Sequence, residues 1–118
     1  MNVKDVFLNK MEAEIERRFF TNFLDLIILR ILSSYKRSMG GYDIIRHLQL
    51  NHNILLSSGT VYSCLYTLER RDLIKGRQNG RKRVYTLTEL GNRTVEAIEC
   101  AKGRFNRLVS MILYGIKC

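Results

Sequence analysis

Between residues 73 and 87 the chain abandons the helical spacing of its apolar residues. Leu73–Arg77 and Arg81–Leu87 read as two short strand-like segments around Gln78-Asn79-Gly80, and Asn-Gly between such runs marks a tight turn because both residues tolerate positive φ. Val84, Tyr85 and Leu87 have the β-branched and aromatic character of a strand that packs on a core. On both sides of this segment the pattern is helical. The expected fold is therefore mainly α with a small two-stranded β-hairpin.

Val3, Phe7, Met11, Ile15 and Phe19 recur at every fourth position with charged residues between them, the pattern of an amphipathic helix over residues 3 to 18. Phe20 to Leu32 is denser in apolar residues and reads as the core helix. Ser33 to Gly41, rich in Ser and Gly, is the connection to a third helix from Tyr42 to about Leu50, with Ile44, Ile45 and Leu48 on one side. Ile54-Leu55-Leu56 is expected as a short strand, after which Ser57 or Ser58 caps a helix running to Arg71. In that helix Val61, Leu65 and Leu68 mark the buried face. Thr88 is the expected N-cap of a long last helix, with Glu89 in its first turn. Val95, Ile98, Lys102, Phe105, Val109, Ile112 and Ile116 then alternate spacings of three and four, a heptad seam with one cationic interruption that requires a partner helix.

At 118 residues the chain holds one core and no cleft between domains, which excludes a multidomain enzyme. It is expected as a single domain over 1–118, with an N-terminal helix to 19, a central unit over 20–87 and a C-terminal helix from 88. The most apolar stretch, Phe23 to Leu32, is interrupted by Asp25 and Arg30, so no membrane span is expected. The first ten residues lack the pattern of a secretory leader, which points to the cytoplasm. Cys64, Cys100 and Cys118 form no C-x-x-C pair and are odd in number, as in a reducing compartment, with Cys118 the candidate for a bridge between chains.

The charge is focal. Of a formal net charge of +9, six units fall between Arg70 and Arg83, where Arg70, Arg71, Lys75, Arg77, Arg81, Lys82 and Arg83 face Asp72 alone. A solubilising surface mixes its signs. One sign concentrated around a projecting turn suits a phosphate backbone. Immediately before it, Ser57 to Leu68 carries no formal charge and is rich in hydroxyls, which can leave helix N–H groups accessible to phosphate and reach base edges without a charge of their own. A helix followed at once by a basic hairpin suits a major groove and the adjoining backbone.

Gly41-Tyr42-Asp43-Ile44-Ile45, Ser58-Gly59-Thr60-Val61-Tyr62, Leu65-x-x-Leu68-Glu69, Leu73-Ile74 and Arg83-Val84-Tyr85-Thr86-Leu87-Thr88-Glu89-Leu90-Gly91 together resemble the PadR-like transcriptional regulators, over roughly residues 24 to 95. The resemblance implies a winged helix-turn-helix with an extra N-terminal helix and a long C-terminal dimerisation helix. It also implies a homodimeric repressor of double-stranded DNA whose recognition helix, about 58–71, enters the major groove while the wing, 75–83, follows the backbone or minor groove. The residues expected at DNA are Tyr42, Ser57, Ser58, Thr60, Tyr62, Ser63, Arg70, Lys75, Arg77, Arg81, Lys82 and Arg83. Those expected between protomers are Phe7, Met11, Ile15, Val95, Ile98, Phe105, Val109, Ile112 and Ile116. Asp72 replaces the family's usual Gly, a position Asp tolerates because it enters the left-handed region better than most residues. The family's common Pro before Gly-Thr-x-Tyr is absent, the wing is short and the first helix is long. Some members bind flat aromatic drugs between Trp residues; this chain has no Trp, so a small-molecule effector has no support.

His47 and His52 are five apart, where one helix would need three or four to share a metal, and no C-x-x-C completes a site. Ser33-Ser34-Tyr35-Lys36 has an acylating-enzyme spacing but sits in a turn without an oxyanion-hole candidate, and Gly76 and Gly80 lack phosphate-loop spacing. No enzyme activity, metal or cofactor is expected. Two rival readings stay open: a non-specific architectural or RNA-binding winged helix using the same wing, and a protein-interaction module using the apolar faces of the first and last helices.

Overall fold

The computed structural model describes residues 2–116, so Cys118 and any bridge through it lie outside the described residues. In chain order the elements are α1 (Val3–Asn22), α2 (Leu24–Tyr35), β1 (Met39–Gly40), α3 (Gly41–His52), α4 (Ser58–Arg70), β2 (Ile74–Asn79), β3 (Lys82–Leu87) and α5 (Glu89–Tyr114). The core lies where α2, α3 and α4 meet the sheet. Ile28, Leu29, Ile44, Leu48, Val61, Leu65, Leu68 and Ile74 are all less than 2% exposed. Burying each such side chain contributes about 1.5–3 kcal/mol before conformational entropy is counted.

α1 continues four residues beyond its expected end and breaks at Phe23, whose N–H still reaches Phe19 O at 3.1 Å. Asp25 opens α2, its carboxylate accepting from the Leu26 N–H at 2.8 Å, close to the positive helix end. No residue of α1 is buried. The radius of gyration is 16.8 Å, against roughly 13.5 Å for a compact chain of this length. The described chain is accordingly elongated, 52 × 35 × 21 Å.

Three local expectations are corrected. The segment Ile54–Leu56 forms no strand. Asn53 takes a left-handed conformation and Leu48 O accepts from the Ile54 N–H at 3.1 Å, so the chain turns, burying Ile54 and leaving Leu55 exposed. The sheet has three strands, not two, because Met39 and Gly40 pair with Tyr85 and Val84. The hairpin turn sits one residue later than expected: Asn79 pairs with Lys82, which leaves Gly80 and Arg81 as the connection. Gly80 supplies the positive φ, +65°, at the first central position, and Arg81 does not share it; this is the arrangement of a type II′ turn.

Asp72 carries the chain out of α4 at φ +61°, in the left-handed region expected for it. Thr88 caps α5 as expected, Oγ1 accepting from the Gly91 N–H at 3.0 Å while donating to Asp72 O at 2.6 Å. It ties the last helix to the loop that precedes the wing. Thr88→Ala is expected to lower the unfolding free energy by about 1 kcal/mol, read as a lower urea midpoint at unchanged slope.

Candidate nucleic-acid interface

Ser57, and not Ser58, caps α4: its Oγ accepts from the Thr60 N–H at 3.1 Å and lies 2.7 Å from Thr60 Oγ1. With Val61, Leu65 and Leu68 turned into the core, the helix presents Thr60, Tyr62, Ser63, Tyr66, Thr67 and Arg70 to solvent. The Thr67 hydroxyl donates to Ser63 O at 3.1 Å. Tyr66 lies outside the set of residues expected at DNA, yet it is the most exposed aromatic of α4, 64%, with the Arg70 guanidinium 5.7 Å from its ring centre. The four-residue spacing of Tyr66 and Arg70 is its sequence signal.

Tyr42 opens α3, 62% exposed, with Arg46 5.9 Å from its ring centre. The Tyr62 ring lies against the backbone of Gly41, where an added Cβ would stand 2.4 Å from it. Glycine there lets the starts of α3 and α4 share one surface.

The register sorts the wing cations. Ile74 faces Leu87, Gly76 faces Tyr85 and Gln78 faces Arg83, so these six share the side whose base packs on the core. Lys75, Arg77 and Lys82 stand on the opposite side, exposed, and Arg81 is at the turn. Arg83 is apart from them. Its Nε and Nη2 donate to Glu69 of α4 at 3.3 and 2.5 Å, a two-point fork. Those hydrogen bonds hold the Arg83 guanidinium above its ordinary range, while burial, then Glu69, push the Tyr85 hydroxyl upward. Arg71, also in the basic cluster, lies 3.9 Å from Asp25.

The residues expected between protomers divide. Val95 belongs to the protein's own core at 6% exposure and is corrected out of the seam. Further along, Ile98, Phe105, Val109 and Ile112 of α5 line an open groove of about 510 Å³ with Phe19, Phe23 and Leu26. Ile15 and Ile112 line a second depression beside it. Phe7, Met11 and Ile116 are exposed. Lys102, also on the groove, pairs with Glu99 at 3.7 Å, and Glu99 also pairs with Arg30.

Of the other reactive groups, His47 Nδ1 lies 3.0 Å from Tyr35 Oη and 2.9 Å from Asn51 Nδ2, its pKa lowered by burial and then by His52. Burial, then Asp25, push the Cys64 thiol up to about 11, so it is protonated at neutral pH. Among the described residues no helix is long and apolar enough to cross a membrane.

Three helices closed by a three-stranded sheet with a projecting hairpin define a winged helix-turn-helix protein. The sequence profile described as the transcriptional regulator PadR-like family matches residues 28–97. A PadR family transcription regulator from hypervirulent Clostridium difficile is 28% identical, with a TM-score of 0.64 over 79% of this chain and 99% of that one. A PadR-like transcriptional regulator from Bacillus cereus, 24% identical, has a TM-score of 0.69 over 84% and 99%. A transcriptional regulator from Clostridium thermocellum, 21% identical, has a TM-score of 0.68 over 85% and 96%. Comparison with curated proteins returns no match. The chain belongs to the PadR-like family of transcriptional regulators, DNA-binding proteins that are generally not enzymes.

Proposed function

We propose that the protein is a homodimeric repressor that recognises a specific double-stranded DNA sequence, with α4 in the major groove and the wing on the backbone or minor groove. The observation that carries this reading is the junction of two unlike surfaces. The outer face of α4 offers hydroxyls and Tyr rings, and α4 leads within four residues into a wing whose free side bears Lys75, Arg77 and Lys82. Base edges are read by the first kind of group and phosphates by the second. Ser57, Ser58, Thr60, Tyr62, Ser63 and Tyr66 supply the readout, with Tyr42 at the adjoining edge. Lys75, Arg77, Arg81 and Lys82 supply the charge, and Arg70 reaches the backbone from the end of α4. A second copy covers the apolar faces of α1 and α5 and sets two half-sites about one helical turn apart. A dimer seated across a promoter excludes polymerase, which is the basis for repression.

Selection from random duplexes, followed by fluorescence anisotropy on the selected and a scrambled duplex over a salt series, tests this. The expected result is a steep salt dependence with at least about 10³-fold preference for the selected, two-fold symmetric duplex. A steep dependence without preference would establish an architectural or RNA-binding role instead. Absence of binding to any duplex would favour the protein-interaction module.

A further inference from the structure

Arg83 reads in the sequence as one of a run of wing cations, yet it does not stand with them. Its strand position turns it toward α4, and Glu69 engages it with both carboxylate oxygens, at 3.3 and 2.5 Å. The pair lies directly over Gly76 of the neighbouring strand. A Cβ on Gly76 would stand 2.5 Å from Arg83 Nε and 2.6 Å from Glu69 Oε1. Three residues from α4, β2 and β3 thus meet at one point, at the junction of helix and wing.

We propose that Arg83 is a positioning residue, locked to Glu69 across Gly76 so that the wing holds a fixed angle to the recognition helix. This rests on the DNA-binding reading above and deepens it. Phosphate contacts belong to the opposite side of the wing. A guanidinium bound by a carboxylate brings no net charge to a phosphate, and a carboxylate at this surface would repel the backbone if Arg83 left it. Both charges therefore favour keeping the pair. Recognition needs α4 in the groove and the wing on the backbone at once, so the gain from both depends on the angle between them, as for any two linked contacts.

The experiment uses the full chain and four variants: Arg83→Gln, Glu69→Gln, Gly76→Ala, and the exchanged pair Glu69→Arg with Arg83→Glu. Anisotropy on the selected and scrambled duplexes gives affinity, preference and salt slope for each. The expected result for Arg83→Gln is a preference for the selected duplex reduced roughly fivefold per wing, the upper range for an exposed ion pair, on top of a weakening of both duplexes alike by the Glu69 carboxylate left without its partner. Glu69→Gln is expected to lose the same preference although it makes the protein more positive, a loss that charge alone does not produce. Gly76→Ala keeps every charge and is expected to behave likewise, and the exchanged pair is expected to recover most of the preference. In the free protein, 15N relaxation should show the amides of residues 77–82 becoming more mobile in Arg83→Gln and Gly76→Ala at unchanged helical circular dichroism. Preference left intact in Arg83→Gln while both affinities fall alike, the signature of a lost phosphate contact, would overturn the proposal. So would intact preference in Glu69→Gln, or wing amides as ordered as in the wild type. Failure of the wild type to bind any duplex is a different pattern, and overturns the DNA-binding reading together with the positioning role.

Discussion

Arg77→Gln, Arg81→Gln and Lys82→Gln in one chain are expected to abolish tight binding to every duplex alike. These side chains stand at the turn and on the free side of the wing, exposed, and among the described residues none has an acidic partner of the kind that engages Arg83. Each phosphate neutralised by a Lys or Arg contributes about 0.9 to the slope of log K against log salt, equivalent to about fivefold in affinity at 0.15 M. Three residues on each of two wings should therefore flatten the slope by about 5 and weaken binding by up to roughly 10⁴-fold. The ratio between selected and scrambled duplexes should fall far less than either affinity, because the proposed function assigns base readout to α4. Anisotropy from 50 to 300 mM salt measures both quantities. Loss confined to the selected duplex would place these residues at base edges and overturn their assignment to the backbone.

What the sequence reveals and what it hides follow from the range of the forces involved. The helices were legible because Ile44, Ile45 and Leu48, or Val61, Leu65 and Leu68, repeat with the helical period and are buried as that period requires. The Thr88 cap, and the α4 cap to within the choice of Ser57 or Ser58, were legible because a cap is a contact across three residues. β1 was not, since two residues show no period and Met39 and Gly40 become a strand only through Tyr85 and Val84, over forty positions away. The turn slipped for a related reason. Asn79-Gly80 satisfies a local preference, but with Gly80-Arg81 at the turn Leu87 pairs with Ile74, both packed on the core, where a turn one residue earlier would set Leu87 opposite Asp72, outside β2. Tertiary packing overrides the dipeptide.

The same contrast holds at the candidate interface. A cluster of cations is visible in composition, but the sorting of Arg83 from Arg81 and Lys82 depends on strand register and on Glu69, fourteen residues earlier on another element. Glu69 itself was a signal: it is the one acidic residue of α4. Val95 illustrates the reverse case. It fits the heptad seam by spacing, yet the first turns of α5 pack on the chain's own core, so the same period serves two different surfaces along one helix.

Phe105→Lys with Ile112→Lys is expected to convert the protein in solution from dimer to monomer. Phe7, Phe105, Leu108, Met111, Ile112 and Leu113 are between 42% and 70% exposed on α1 and α5, and the groove between these helices is lined almost wholly by apolar side chains. Contiguous apolar surface of this kind marks an interaction site, and a heptad seam fits a helix of its own kind. A lysine buried in that contact leaves an unpaired charge, which costs several kcal/mol per site. Symmetry doubles the cost, since each substitution enters the interface from both protomers. Light scattering behind size-exclusion chromatography should then report 13.8 kDa in place of twice that mass. Neither residue belongs to the core cluster, so helical circular dichroism should be unchanged. On DNA, the monomer loses the advantage of presenting two wings and two recognition helices together, about 10²- to 10⁴-fold in affinity for paired half-sites, while its affinity for a single half-site is retained and its salt slope is halved. Dimers that persist in the double variant would place the interface elsewhere on the molecule and remove α5 from the assembly.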